Sequence, residues 1–274
     1  METLSRIMIA FLWVFIMRTS PAQAQADPVN WLPPDSRIDV QIPPDELLSI
    51  IEPLQGEALL GKLLFNSPSL LGETAVRIGL TCNSCHPSGH VNTRFFMSGL
   101  SSLPGTIDVT HKFWGSGTED GVLNPIAIPS LRGVSKSAPY GTLTVLPTLG
   151  AFTKHVIETE FAGPPVQPYE LSALIAYMSL LETKPKADKQ TYVQTNLSAY
   201  FALLIEPLER EWIGGVTRIT HLIREELGRR IKVSPEHRAE YEGVSQILKL
   251  IQRAAKTHPA NARDALNKHL GSAD

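Results

Sequence analysis

Apolar residues recur at helical spacing in several separate stretches of the chain. Over residues 55–65, leucines stand at positions 59, 60, 63 and 64, the one-sided repeat of an amphipathic helix. A second repeat over 168–181 predicts another helix with one apolar face. That face consists of Leu171, Leu174, Ile175, Met178 and Leu181. Acidic residues near an N-terminus predict a short helix over 44–51, and a further helix is expected over 148–159. The pattern predicts a mainly α fold.

The last third of the chain has the longest helical pattern. Apolar residues repeat over 203–228, where Gly214-Gly215 predicts a bend. Ser234-Pro235-Glu236 is typical of a helix start, and it opens a pattern that runs to about residue 256. By contrast, 87–146 is rich in Gly, Pro, Ser and Thr and lacks periodicity, so long loops are expected there.

The N-terminus predicts export. Arg6 precedes an unbroken apolar run over 7–17, and small residues at 22, 24 and 26 offer cleavage sites. This is the pattern of a secretory signal peptide over 1–26, too short to span a bilayer comfortably. Contact with the membrane is expected only if the segment stays uncleaved. The proline-rich residues 27–44 are expected to be extended.

Charge divides the chain where its composition changes. The whole sequence has 25 Lys and Arg and 27 Asp and Glu, a net charge of −2 that favours neither nucleic acid nor polybasic membrane attachment. Residues 27–183 hold eight basic and fifteen acidic side chains, a net charge of −7, whereas 184–274 hold fifteen and eleven, a net charge of +4. We therefore expect one domain over 45–183 and a helical C-terminal region over 184–274. A single shared core is the alternative.

One short motif predicts chemistry. Cys82-Asn83-Ser84-Cys85-His86 is the Cys-x-x-Cys-His pattern of covalent haem attachment. Two thiols three residues apart can reach both vinyl groups of one porphyrin, and the adjacent imidazole is then placed to bind the iron. The alternatives are a redox-active thiol pair and half of a zinc site. The chain has no other cysteine. The motif and the export signal together predict one covalent haem c in a periplasmic protein.

Further segments resemble bacterial di-haem cytochrome c peroxidases and their MauG-type relatives. They are 60–68, 79–86, 128–134, 138–140, 149–156 and 174–177. The resemblance implies a cytochrome c-like haem domain with long loops over 45–183, and it places Arg132 near the haem propionates. The family carries two haem motifs, but this chain has one. A two-haem peroxidase mechanism therefore cannot run within it alone.

The far face of the iron decides the expected function, because a Met ligand favours electron transfer and an open face permits peroxide chemistry. Met97, on a loop, is one candidate ligand beside His86, while Met178 is expected to pack in the core. His155 lies one residue from the position at which the resemblance places the distal ligand, which falls on Val156, a residue that cannot bind iron. We expect a monohaem cytochrome that exchanges electrons with a periplasmic redox partner, such as another cytochrome. The alternative is a peroxidase-like enzyme in which His155, Glu158 or Glu160 moves protons. A sensory or docking role is a third hypothesis.

Overall fold

The structure, a computed structural model, describes residues 46–270 except 51, 116, 118 and 185–195. The predicted signal peptide over 1–26 and the extended segment over 27–44 lie outside the described residues. The described part is mainly helical, as the apolar pattern predicts. Its α-helices are α1 Gly56–Phe65, α2 Gly72–Ile78, α3 Cys82–Cys85, α4 Leu149–His155, α5 Pro168–Ser179, α6 Leu197–Ala202, α7 Ile205–Glu209, α8 Ile213–Val233, α9 Arg238–Thr257 and α10 Pro259–Leu270.

Shorter elements connect these helices. Single 3₁₀ turns lie at Pro68–Leu70, Pro87–Gly89, Val134–Lys136 and Pro235–His237, and Val156–Glu160 continues α4 as a turn of π-helix. Strands β1 Thr106–Ile107 and β2 Ile126–Ala127 form a two-residue antiparallel ladder. The stretch 87–146 is otherwise mostly loops and turns, as its composition predicts.

Helices α1 and α5 form the closest helix pair of the first half. Gly61 allows their approach, because a Cβ there would lie 1.9 Å from the Ala173 carbonyl oxygen. Phe65 packs edge-on against Tyr177, with ring centroids 5.3 Å apart. The Tyr177 hydroxyl in turn donates to Glu46, which also pairs with Lys62 of α1. Both helices agree with the sequence prediction.

The short helix predicted near 44–51 is wrong for the described residues 46–50. Leu48 forms an antiparallel bridge with Leu181, and the Ser49 amide donates to the Leu180 carbonyl at 2.8 Å. The Glu182 amide returns a bond to the Leu47 carbonyl at 2.9 Å. These partners are more than 130 residues away in sequence, so a local pattern could not reveal them.

The C-terminal helices follow the predicted order with one difference. The chain breaks at Glu211, which has a φ of 51°, and not at Gly214-Gly215. The Trp212 indole lies on the first turn of α8, where a Cβ at Gly215 would come within 2.2 Å of the ring. The glycines therefore make room for an aromatic ring and do not bend the helix.

Buried side chains of the two halves belong to one hydrophobic cluster. Helix α8 lies against the start of the first half through polar contacts as well. Arg218 donates to Glu170 and to Ser69, both at 2.6 Å, and Arg229 donates to the Asn66 carbonyl at 2.8 Å. The charge boundary near Lys184 thus separates two stretches of sequence that share a core within the described residues.

Candidate functional site

The Cys-x-x-Cys segment forms a helix of four residues, α3, held by its N-cap. Thr81 Oγ1 accepts the Ser84 amide at 3.2 Å, and Ser84 Oγ accepts the Thr81 amide at 3.0 Å, which is a capping box. The helix ends as the His86 amide donates to the Cys82 carbonyl at 2.8 Å. One helical turn therefore places both thiols next to each other in space.

The chain after the motif is fixed by side-chain amides. Asn83 Oδ1 accepts the Ser88 amide at 2.9 Å, and Asn92 Nδ2 donates to the Ser84 carbonyl at 2.9 Å. Gly89, with a φ of +80°, passes so close to Leu181 that a Cβ would meet its methyl group at 2.9 Å. The motif is thus held against the end of α5.

The His86 imidazole has a defined tautomer. Its Nδ1 lies 2.9 Å from the Pro129 carbonyl oxygen, and a carbonyl only accepts, so Nδ1 carries the proton. The Nε2 lone pair is left available for a metal, and the carbonyl fixes the orientation of the ring. Burial lowers the pKa of His86 to about 4, although the bond to Pro129 opposes this shift. The ring is therefore neutral at pH 7, the form that binds iron.

A cavity of about 350 Å³ opens next to the motif. Cys82, Cys85 and His86 line it, together with side chains that are mostly apolar. These include Phe65, Leu71, Ile107, Val109, Ile128, Leu131, Leu149, Phe152, Ile157, Phe161 and Leu174. The volume lies within the range of small-molecule and cofactor sites, and an apolar lining with a few polar groups is typical of them.

The two thiols do not have the properties of a redox-active pair. Cys82 and Cys85 are free in the structure. Burial raises the pKa of Cys82 to about 12, and burial together with the charge of Cys82 raises the pKa of Cys85. A redox-active thiol pair needs the opposite shift, since the thiolate is the nucleophile. Within the described ranges, no three or more His, Cys, Asp and Glu side chains are grouped to hold a metal ion.

Arg132 carries unpaired donors near this cavity. Its Nη1 lies 2.6 Å from His90 Nε2, but its buried Nε and Nη2 atoms have no hydrogen-bond partner among the described residues. Ser130 and Leu131 line the cavity, whereas Arg132 itself does not. A buried donor without a partner is costly, and a carboxylate is the matched partner of a guanidinium. A haem would bring two carboxylates, so these orphaned donors fit the cofactor that the motif predicts.

The other predicted ligands, Met97 and His155, are not among the residues that line the cavity, although His155 contacts two residues that do. Met97 is half-buried, and its backbone is bonded to Ser101. His155 stacks on Phe152, and its Nε2 lies 3.7 Å from Glu160 Oε1. Neither residue lines the cavity, whereas Met178, which the pattern predicts to be a core residue, does. Met178 is buried in the core, as the pattern predicts, and it also borders the cavity.

Glu160 is the acidic residue of the cavity lining. It ends the π-helix Val156–Glu160, a rare element that often occurs at functional sites. Its side chain is 13% exposed, and burial raises its pKa to about 7. Glu158 instead accepts the Val166 amide at 2.8 Å. Of the acid–base candidates in the sequence, the structure brings Glu160 to the cavity.

Comparisons of the chain with protein-family models, with curated proteins and with solved structures found no match. The likeness to di-haem peroxidases therefore stays a prediction from the motifs. In the described ranges, no helix combines the length and the apolar character needed to cross a bilayer.

Proposed function

We propose that the chain is an exported monohaem c-type cytochrome, with its porphyrin linked to Cys82 and Cys85 and its iron bound by His86. The supporting observation is the shared lining of one cavity by both thiols and by an imidazole whose free nitrogen is Nε2. When bound, the haem supplies a one-electron couple at the iron. The residues around the haem determine how the porphyrin is oriented and how far water reaches the iron.

Each residue of the site has a distinct task in this proposal. Thr81 fixes the turn that carries the thiols, and the Pro129 carbonyl holds His86 in its ligand tautomer. The apolar wall excludes water from the ring, which is one of the ways a protein sets a haem potential. Arg132 offers Nε and Nη2 to a propionate. Met178, on the wall, joins Met97 and His155 as a candidate for the sixth position.

The proposed activity is electron exchange with a partner protein of the periplasm, such as another cytochrome. The chain has a single haem motif, so any longer electron route needs a second protein. The predicted signal peptide is consistent with the haem motif, because covalent haem attachment takes place on the exported side of the bacterial membrane. The net charge of −7 over 27–183 suits a basic partner.

Expression with the chain's own leader, in a bacterium that has a covalent haem maturation system, tests this proposal. The purified protein should keep its colour on a denaturing gel and show the α-band of a reduced c-type haem. Cys82→Ala with Cys85→Ala should remove the covalent colour, while Ser135→Ala, at an exposed position, should retain it. Colourless protein from cells that mature another exported cytochrome would overturn the proposal.

A peroxidase-like enzyme is the second candidate, and Glu160 is the observation in its favour. A carboxyl with a pKa of about 7 on the wall of a haem cavity can take a proton from a peroxide and return it to the leaving oxygen. Peroxide consumption with a reduced cytochrome as donor should then fall by about 10²-fold or more in Glu160→Gln. Absence of turnover in wild-type, haem-loaded protein would remove this candidate and leave electron transfer.

A further inference from the structure

Three aromatic rings form a continuous line from the cavity wall to the protein surface. Phe161 lines the cavity and meets the buried Trp114 edge-on, with ring centroids 4.8 Å apart. Trp114 meets Phe113 in the same way at 4.9 Å. Phe113 is 39% exposed, so the last ring of the line reaches solvent. The Trp114 indole is fixed by its bond to the Asp108 carbonyl at 2.8 Å.

The loop that bears Phe113 is braced from within. The buried Asp108 carboxylate accepts the Thr110 amide at 2.9 Å and the Asn124 amide at 3.2 Å. Thr110 Oγ1 also lies 3.1 Å from Asn124 Oδ1, and the Lys112 amide donates to Glu119. These bonds tie 108–112 to 119–124, so the exposed side chains of the two segments lie near one another on one part of the surface.

This part of the surface combines exposed apolar side chains with carboxylates. Val122 is 59% and Leu123 is 54% exposed, which is unusual for large apolar residues on one short loop. Glu119 and Asp120 are exposed beside them, and Lys112 is the cation of the stretch 108–124. We call this face the Phe113 surface, defined by Phe113, Glu119, Asp120, Val122 and Leu123.

We propose that the Phe113 surface docks a basic electron-transfer protein and that Trp114 connects this partner to the cavity. The inference rests on the proposed haem function and names the entry point that function needs. Charge complementarity determines the partner, because the surface has two carboxylates and lies in a stretch with a net charge of −7. A small apolar centre with a charged rim is typical of weak redox complexes, which form and separate quickly.

The transfer balances as a single-electron exchange. The reduced partner would lose one electron and be oxidised, and a haem held by Cys82, Cys85 and His86 would accept that electron and be reduced. No bond forms, and no proton moves. The π-systems of Phe113, Trp114 and Phe161 span the protein between the docking face and the cavity wall, and the packing around Trp114 keeps this route dry because its side chain is buried.

Binding of haem-loaded protein to a basic mitochondrial cytochrome c, measured by isothermal titration calorimetry, tests the docking face. Glu119→Gln with Asp120→Asn removes both charges but keeps an acceptor oxygen for the loop bonds that these side chains receive. This pair should weaken the Kd by about tenfold at low salt and reduce its salt dependence. Glu240→Gln with Glu242→Gln makes the same change of charge on exposed positions of α9 and should weaken the Kd by about twofold at most. Equal losses from both pairs would show an effect of net charge alone and would overturn the proposal.

Replacing exposed apolar residues by Ser distinguishes docking at the Phe113 surface from docking at the opening of the cavity, which we call its mouth. Phe113→Ser should weaken binding by about tenfold, whereas Leu103→Ser, at a residue 66% exposed elsewhere, should leave the Kd unchanged. Leu143 lines the cavity and is 49% exposed, so Leu143→Ser reports docking at the mouth. Loss of binding in Leu143→Ser with none in Phe113→Ser would assign the partner to the mouth and overturn the inference.

Trp114→Phe tests the route separately from docking. Its Kd and its haem absorbance should match wild type, while the electron-transfer rate at saturating partner falls by about tenfold. An unchanged rate would remove Trp114 from the route. Colourless wild-type protein would mean that the haem proposal itself has failed, whereas coloured protein that does not bind the basic cytochrome would overturn only this inference.

Discussion

A single hydroxyl determines the geometry of the thiol pair. Thr81 Oγ1 accepts the Ser84 amide, and without it α3 would begin with an unsatisfied donor in a helix of four residues. So short a helix has almost no stability of its own, since nucleation is unfavourable. The cap therefore matters more here than in a long helix.

Thr81→Ala should lower the free energy of unfolding by about 1 kcal/mol, in the range measured for N-cap residues. It should also lower the fraction of chains that receive covalent haem, because the thiols are less ordered relative to each other. Thr81→Ser keeps the hydroxyl and is the matched control. Denaturant unfolding and the ratio of haem to protein absorbance measure the two effects. Equal behaviour of the two variants would mean that the cap does not order the motif.

Glu160 should make stability depend on pH. Burial raises the pKa of its carboxyl from the ordinary 4.5 to about 7, so the folded state binds this proton more tightly than the unfolded state does. Stability is then lost as pH rises from 4.5 to 7, because the buried group must ionise, and the loss is at most about 3 kcal/mol.

Urea unfolding at about pH 5 and about pH 8 measures this loss. Glu160→Gln cannot ionise, so its stability should fall less between these two conditions than that of wild type. Glu206→Gln, on an exposed part of α7, should follow wild type. A fall in Glu160→Gln as large as in wild type would show that other groups cause the pH dependence.

At the scale of elements, the crossing of α1 and α5 depends on one glycine. Gly61→Ala would place a methyl group 1.9 Å from the Ala173 carbonyl oxygen, so the helices must separate. The variant should lose about 1–3 kcal/mol of stability, the usual cost of overpacking a core. Gly228→Ala lies in α8 with nothing near its added methyl, and it should gain about 0.5–1 kcal/mol. Thermal unfolding of both variants checks the contrast, and a stabilised Gly61→Ala would refute the close crossing.

The apolar repeats predicted the helices, because the spacing that defines a helix lies within the helix's own sequence. Helices α1, α5 and α9 lie where apolar repeats place them, because burial of one face requires that spacing. The strand-like pairing of Leu48 with Leu181 was not predicted, because the two residues stand at opposite ends of the sequence of the first half and each is held by the other. The bond from Pro129 to His86 is equally non-local. The sequence could therefore single out the Cys-x-x-Cys-His motif but not the loop that orients its imidazole.

Side chains on the cavity wall were harder to predict than the motif. Leu174 and Met178 of the apolar stripe line the cavity, whereas Leu171 and Ile175 of the same stripe do not, and no local feature separates the two pairs. The sequence indicates only that Glu160 is near His155, and it does not show that Glu160 lines a cavity. Its position on the wall results from the π-turn, which adds one residue to the helical repeat and so rotates the following side chains.

For the whole molecule, the shared core indicates that the two halves unfold together. Arg218 of α8 reaches Glu170 of α5 and Ser69, and its side chain is only 22% exposed. Arg218→Met removes one partner of a buried pair and should cost about 3 kcal/mol, since it leaves the Glu170 carboxylate, 8% exposed, without its cation.

The same variant should lower the stability of both halves equally. With Trp31 and Trp114 replaced by Phe, fluorescence of Trp212 reports the C-terminal helices, while absorbance reports the proposed haem in the first half. Guanidinium transitions followed by both signals should coincide in this parent and in its Arg218→Met variant. Arg238→Met removes an exposed pair on α9 and should change stability by about 0.5 kcal/mol or less. Two separate transitions, with the midpoint of the haem signal unchanged in Arg218→Met, would contradict this prediction. The C-terminal helices would then form an independent unit, and the charge boundary near Lys184 would be a domain boundary.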